Sequence, residues 1–282
     1  MSVLDRRPGL RVGLLLTPPM LWLGVAYLGA LAALLATSLW TQNDFTGQIE
    51  RIWTLENFKT LFTVEVYRTI TFRTIGIAIA VTLVDAALAF PIALYMAKFA
   101  SARAQRTLVI AVLTPLWASY LVKAYAWRGM FSSDGVIAWL ASPFGGGTPG
   151  YGLLATTVTL AYLWLPYMIL PLFAGLERVP DSLFEASADL GAGAWHTIRR
   201  VVLPMAFPSF VAGSIFTFSL TMGDYIAVKI VGGTTQMLGS VVYANSGAAY
   251  NLPFAAAVAT VPIVVMLVYL AAARRTGALE NL

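Results

Sequence analysis

Long stretches of this chain carry no charged side chain at all. Residues 12–40, 151–176 and 201–223 have none, and 74–97 has only Asp85. Residues 107–122 form a shorter uncharged run that is expected to extend past Lys123. Residues 230–273 are also uncharged but too long for one crossing; Asn245, Ser246, Gly247, Asn251 and Pro253 interrupt them, so a last segment is expected to begin near Pro253. A helix that crosses a bilayer needs about 20 mostly apolar residues. Lipid offers the backbone no partner, so continuous runs of this length must be helical. The expectation is an all-α polytopic membrane protein with six transmembrane helices.

Composition agrees. Hydrophobic residues make up 59% and charged residues 11%, against about 25% charged in soluble domains. So few charges could not cover a water-facing surface. There are no cysteines and a single histidine, which excludes thiolate chemistry and a histidine-rich metal site. The net charge of +5 follows from where the basic residues lie. Arg6, Arg7, Arg11, Lys98, Arg103, Arg106, Arg178, Arg199, Arg200, Arg274 and Arg275 all fall on one side if both termini are cytoplasmic. That is the positive-inside pattern of short loops, and it accounts for the basic balance without nucleic acid. The first run is longer than the apolar core of a secretory signal and reads as a retained helix, with Pro18 and Pro19 kinking or starting it. Residues 41–69 read as a polar connection, and 133–150 as a glycine- and proline-rich loop with a short helix at 135–141. With no repeat and no soluble domain in view, residues 1–282 read as a single membrane domain.

The longest inside connection is 177–200. Pro180 breaks the preceding helix, and Ser182 followed by Glu185 has the spacing of a capping box. Gly191 and Gly193 can end the new helix in the left-handed conformation. A short, separately capped helix outside the membrane is therefore expected. Glu185 and Asp189 share one of its faces, and Leu183, Phe184 and Leu190 are available for packing. So short a helix needs something to dock against.

The residues here resemble a specific pattern. Permeases of binding-protein-dependent ABC importers carry a loop written Glu-Ala-Ala, three residues, Gly, nine residues, Ile, one residue, Leu-Pro. Glu185-Ala186-Ser187, Gly191, Val201 and Leu203-Pro204 match at every spacing. Ser187 stands for the second alanine and Val201 for the isoleucine. The segments from Leu113 to Trp127, from Leu165 to Leu172, Gly223-Asp224-Tyr225 and Asn251-Leu252-Pro253-Phe254 resemble the spermidine/putrescine permeases, most closely the PotB-like subunit.

The resemblance implies a type I ABC importer permease fold in a bacterial plasma (inner) membrane, importing a polyamine by alternating access. It implies a second homologous permease (PotC-like), two ATPase subunits (PotA-like) and an extracytoplasmic solute-binding protein (PotD-like). The loop would be the coupling helix, with Glu185, Ala186, Ser187, Asp189, Leu190 and Gly191 at the ATPase contact. The wider superfamily also carries opines, iron, thiamine and phosphonates. No phosphate-binding G-x-x-x-x-G-K-[ST] loop is present, so this chain is expected to be no enzyme and to hold no cofactor or metal. ATP and magnesium would sit on the partner ATPases. A self-sufficient, ion-gradient-driven transporter is the rival, disfavoured by the absence of the internal repeats common in that class.

Ionisable groups inside spans usually face a cavity or a partner. Asp85 is either a hydrogen-bonded helix contact or a carboxylate lining the path of a cationic solute. Asp224 beside Tyr225 suits an amine, by charge and by cation–π attraction, and equally suits a helix cap. Trp117 and Tyr120 are further path candidates. Trp117, Tyr120, Tyr125, Trp127, Trp164 and Tyr167 also fit an aromatic belt at the interface, while His196 reads as a surface or packing residue.

Overall fold

A computed structural model describes residues 8–43, 45–247 and 249–274. The uncharged runs fold as helices. Among the described residues five are long and apolar enough to cross a membrane: Leu15–Ser38, Glu65–Phe99, Leu153–Glu177, Ala194–Gly223 and Leu252–Arg274. The first of these combines α1 (Pro8–Leu23) and α2 (Gly29–Ser38), joined by a π-helical turn at Gly24–Leu28. Pro18 and Pro19 lie inside α1 and do not start it.

A two-stranded antiparallel hairpin follows, β1 (Thr41–Gln42) against β2 (Ile49–Glu50), then the short α3 (Glu56–Thr63). These elements occupy what the sequence pattern presents as a plain polar connection. The Asn57 amide donates to the carbonyls of Ser38 and Trp40 at 2.9 and 2.7 Å. It thereby satisfies carbonyls that the end of α2 leaves free.

Helix α4 (Glu65–Leu94) begins well before residue 74. Arg68 and Arg73 end the uncharged run there but not the helix, and Glu65 in the first turn complements the helix dipole.

The third crossing departs most from expectation. Instead of extending straight past Lys123, α5 (Ala102–Trp117) gives way to α6 (Tyr120–Met130) at 92°. Pro115 lies in the last turn of α5, and Ala118 and Ser119 are extended at ψ 140° and 135°. The helix cannot be continued through them. Helix α7 (Val136–Ala141) is the expected short one.

Helices α8 (Leu153–Glu177), α9 (Ser182–Asp189), α10 (Ala194–Thr197) and α11 (Leu203–Gly223) follow. A π turn at Ile198–Val202 fuses α10 to α11, so this span starts at Ala194 and not at residue 201. Pro204 at the head of α11 has no N–H for the carbonyl one turn back, and a wide turn accommodates that loss. Within the last apolar run two unforeseen short helices, α12 (Ile226–Val231) and α13 (Leu238–Ser246), precede α14 (Leu252–Arg274). Helix α14 starts where Pro253 suggests.

Helices α4, α8 and α11 form the centre, while α14 packs against α2, α3, α11 and α13. At the end of the bundle carrying α9, Ala89, Ala93, Met96, Met168, Leu172, Leu176 and Val202 form one buried cluster. At the opposite end, Leu61, Ile70, Phe218, Met222 and Phe254 form another. Small residues let the central helices close up. A Cβ on Gly213 of α11 would lie 2.6 Å from the Met168 sulfur and 3.2 Å from its Cα. A Cβ on Gly175 of α8 would lie 1.8 Å from the Ser209 hydroxyl. Helix contacts in lipid rely on such approaches, because burial of apolar surface gives no drive there.

We predict that Gly213→Leu destabilises the protein by at least about 1–3 kcal/mol, the usual range for overpacking. Thermal unfolding in detergent measures this. Gly76→Ala, where nothing lies within 4 Å of the added carbon, serves as the control and should unfold at or slightly above the parent's temperature, since alanine favours the helix.

Candidate functional site

Two regions gather the candidate residues. The first is the loop between α8 and α11. Lys98, in the π turn Tyr95–Phe99 that closes α4, holds the loop at its base. Its ammonium donates to the Val179 carbonyl at 2.5 Å and to the Asp181 carboxylate at 2.8 Å. Its ammonium also lies 5.7 Å from the Phe184 ring. Lys98 is nearly buried, so a charge-assisted clasp there is stronger than a pair in open water. Gln105 of α5 reaches the Glu177 carboxylate at 3.4 Å.

Helix α9 starts at Ser182, as expected, but not through a capping box. Asp181 takes the N-cap position without a side-chain cap bond. Its carbonyl accepts from the N–H groups of Phe184 and Glu185. Its carboxylate is turned toward Lys98. The other end follows expectation closely. Gly191 adopts φ +77°. Ala192 N–H reaches Ser187 O at 3.0 Å and Gly191 N–H reaches Ala188 O at 2.8 Å, the pair of bonds that defines a Schellman ending. Gly193 is not left-handed; its φ is −71°.

Of the loop residues nominated from the sequence, Glu185, Ala186, Asp189, Leu190 and Gly191 face outward. Ser187 points inward, and its hydroxyl bonds the Thr197 hydroxyl at 2.8 Å. This bond ties α9 to α10, a role the sequence pattern does not reveal. Phe184 packs on the buried cluster beneath, and Leu183 is half-buried. Leu190 does not pack: it is 87% exposed, and Trp195 is 71% exposed. His196 is exposed as well.

The second region lies at the opposite end. Asp224, only 8% exposed, caps α12 by accepting the Ala227 N–H at 2.9 Å. Its second oxygen accepts the Tyr120 hydroxyl of α6. Arg128 of α6 donates to Ile230 O at 2.7 Å, and Gly152 N–H to Val231 O at 3.0 Å. Helix α12 is thus held at both ends. Tyr120, Trp164, Asp224 and Tyr225 line a cleft of about 300 Å³. Tyr225 also stacks on Tyr243 of α13, with centroids 4.8 Å apart and planes at 15°.

The remaining path candidates stand apart. Trp117 is 89% exposed at the bend between α5 and α6. Asp85 is fully buried in α4, and neither carboxylate oxygen has a partner among the described residues. The hydrogen-bonded helix contact expected of it is not present. The aromatics expected as a belt divide. Trp117 and Tyr125 are exposed; Tyr120, Trp164 and Tyr167 join Phe216, which was not among them, in a chain of ring contacts 5.9–6.4 Å apart; and Trp127 packs against Phe131 and Tyr162 at 5.9 and 5.4 Å. Among the described residues no group of three His, Asp or Glu is placed to hold a metal ion.

This loop-on-bundle arrangement defines a class. The chain belongs to the binding-protein-dependent transport system inner membrane component family, whose model matches residues 78–276. It is therefore the permease subunit of an ABC importer in a bacterial inner membrane, and not itself an enzyme.

It is 45% identical over 290 residues to the inner membrane ABC transporter permease protein YdcU of Escherichia coli strain K12, covering 98% of this chain and 92% of that one. It is 27% identical over 253 residues to the spermidine/putrescine transport system permease protein PotB of the same strain, covering 86% and 90%. Its fold matches a chain of a bacterial alginate ABC transporter, solved with an alginate pentasaccharide-bound periplasmic protein. The TM-score is 0.77 at 16% identity, over 95% and 94% of the two chains. It also matches a chain of the MetNI methionine ABC transporter with a TM-score of 0.55 at 22% identity, over 76% and 97%. These matches carry the type I importer permease fold.

The Schellman ending generates a prediction. Gly191→Val forces a β-branched residue into a left-handed position, at a cost of about 1–2 kcal/mol. Hydrogen exchange of the 182–192 amides should accelerate by about five- to thirtyfold, with exchange in α8 and α11 unchanged. Unaltered exchange in α9 would show that the ending does not hold it.

Proposed function

We propose that this chain is the polyamine-translocating permease of an importer driven by partner ATPases, with α9 as its coupling helix. The observation that carries the coupling role is the pairing of a rigid mount with an uncovered face. Lys98, Ser187, Thr197 and Phe184 fix α9 to the bundle, while Glu185, Asp189 and Leu190 are left to the solvent. An apolar side chain so exposed between two spans, as Leu190 is, marks a surface that a partner covers. The partner is an ATPase subunit that binds ATP and magnesium. Two such subunits (PotA-like), a second permease (PotC-like) and an extracytoplasmic binding protein (PotD-like) complete the machine, with both termini cytoplasmic. ATP-driven closure pushes on α9, and α8 and α11 carry the movement to the opposite end.

The solute class rests on the relationship to PotB and on the acid and rings at that end. Tyr120, Asp224 and Tyr225 share a cleft there; Asp85 and Trp117 do not line it. Asp85 serves the path as a counter-charge only when the central helices part.

Two variants test this reading. Glu185→Arg reverses a charge at the ATPase contact. Reversals of this kind cost about 2–5 kcal/mol, so uptake should fall more than tenfold and the ATPase should no longer co-purify, while membrane insertion is intact. Normal uptake would remove the coupling role. Asp224→Asn keeps an acceptor for the Ala227 N–H and so keeps the fold, but removes the negative charge. It should raise the KM for spermidine severalfold without releasing the ATPase. An unchanged KM would leave Asp224 as a cap alone. A ligand screen on the cognate binding protein checks the solute class independently.

A further inference from the structure

Tyr225, the residue that precedes α12, and Lys229 within it lie one turn apart, and both meet Tyr243 of α13. The Lys229 ammonium lies over the Tyr243 ring, 4.3 Å from its centroid, while Tyr225 stacks on the same residue. Between the two helices is a second cleft, of about 360 Å³, lined by Tyr225, Lys229, Gln236, Ser240, Tyr243 and Ala244. Tyr225 therefore belongs to this cleft and to the one holding Tyr120 and Asp224.

The ammonium has no other engagement. Among the described residues the Lys229 side chain makes no hydrogen bond and no ion pair. The nearest acid in sequence, Asp224, has both oxygens occupied by Tyr120 and the Ala227 N–H. Lys229 is exposed, and so is the Tyr243 ring at 47%. A primary ammonium on an exposed tyrosine is what a polyamine end group would form at the same place. Two ammonium groups cannot occupy one ring together, since they repel each other.

We propose that the cleft between α12 and α13 is a cation-binding aromatic subsite, and that Lys229 is its tethered occupant, displaced when a cationic solute arrives. The proposal rests on the polyamine reading for the identity of the solute, but not for the chemistry of the subsite. Lys229 then acts as a specificity-determining residue. It disfavours weakly bound monovalent cations, which must compete with a group already in place. It yields to a solute carrying several ammonium groups, one of which can engage the rings while others find acceptors elsewhere.

Two measurements on the assembled transporter in lipid nanodiscs or proteoliposomes decide the matter. The first uses spermidine uptake. An exposed cation–π contact is worth about 0.5–1 kcal/mol, so Lys229→Met should lower the KM for spermidine by about two- to fivefold, and Lys229→Arg, which keeps the charge over the ring, should show the smaller change. A KM that is unchanged or raised in Lys229→Met overturns the proposal, as does an equal shift in both variants, which would indicate packing alone.

The second does not need spermidine to be the solute. Acylation of Lys229 by a water-soluble succinimidyl ester is followed by peptide mass spectrometry. Hexamethonium, a doubly quaternary cation that the reagent cannot modify, should accelerate labelling relative to sodium at matched ionic strength by freeing the amine. Equal rates overturn the proposal. If hexamethonium frees Lys229 but wild-type transporter carries no spermidine, the polyamine reading fails and the cation subsite stands.

Discussion

The contact between α8 and α11 exists only because positions 175 and 213 carry no side chain. Met168 and Ser209 occupy the space a Cβ would need, so the two helices meet backbone to side chain over much of their length. Helix α4 lies against both. The rest follows from this wedge. The loop that carries α9 connects two of the central helices, α8 and α11, so a displacement of the loop acts on both at once. Phe184 inserts into the cluster at the base of the wedge, and Lys98 fastens the same base to α4. Lipid supplies no hydrophobic drive for such a contact, which leaves close packing and a few directed bonds to hold it.

The far end of the wedge is built differently. Helix α12 is too short to be stable alone and is held by bonds at its ends: Asp224 at the start, Arg128 and the Gly152 N–H at the finish. These partners come from three separate elements, α6, the turn before α8, and the end of α11. Ala227, Val228, Ile230 and Val231 add buried apolar packing, so α12 is held both by these directed bonds and by the clusters beneath it.

Much of this was legible in the chain before any coordinates. Uncharged runs locate five of the crossings, and the spacing from Glu185 through Gly191 to Pro204 locates the loop. Gly191 announces its own left-handed turn. What was not legible depends on three-dimensional partners. Arg68 and Arg73 hide the start of α4, because a charge count cannot distinguish the end of the apolar layer from the end of the helix. Pro115 was visible, but not the extension at Ala118 and Ser119 that turns the chain through a right angle. Ser182 imitates a cap, while Asp181, held by Lys98 from far along the chain, takes the position. Ser187, which looks like a neutral replacement for alanine, is the half of a buried hydroxyl pair whose other member, Thr197, has no motif of its own. Lys229 lies just before the last uncharged run and Tyr243 within it, on separate short helices, and only folding brings them together.

The wide turn at Ile198–Val202 carries a further implication. A π turn accommodates one residue beyond the α-helical count, and each residue advances an α-helix by about 100° around its axis. The bulge therefore sets the angular phase between Trp195 and Thr197 on one side and the bundle-facing stripe of α11 on the other. Deleting a single residue there would leave every side chain chemically intact yet swing Thr197 away from Ser187. Along this stretch the residue count sets the phase, so an insertion or deletion disturbs what a substitution at exposed Arg199 or Arg200 leaves in place.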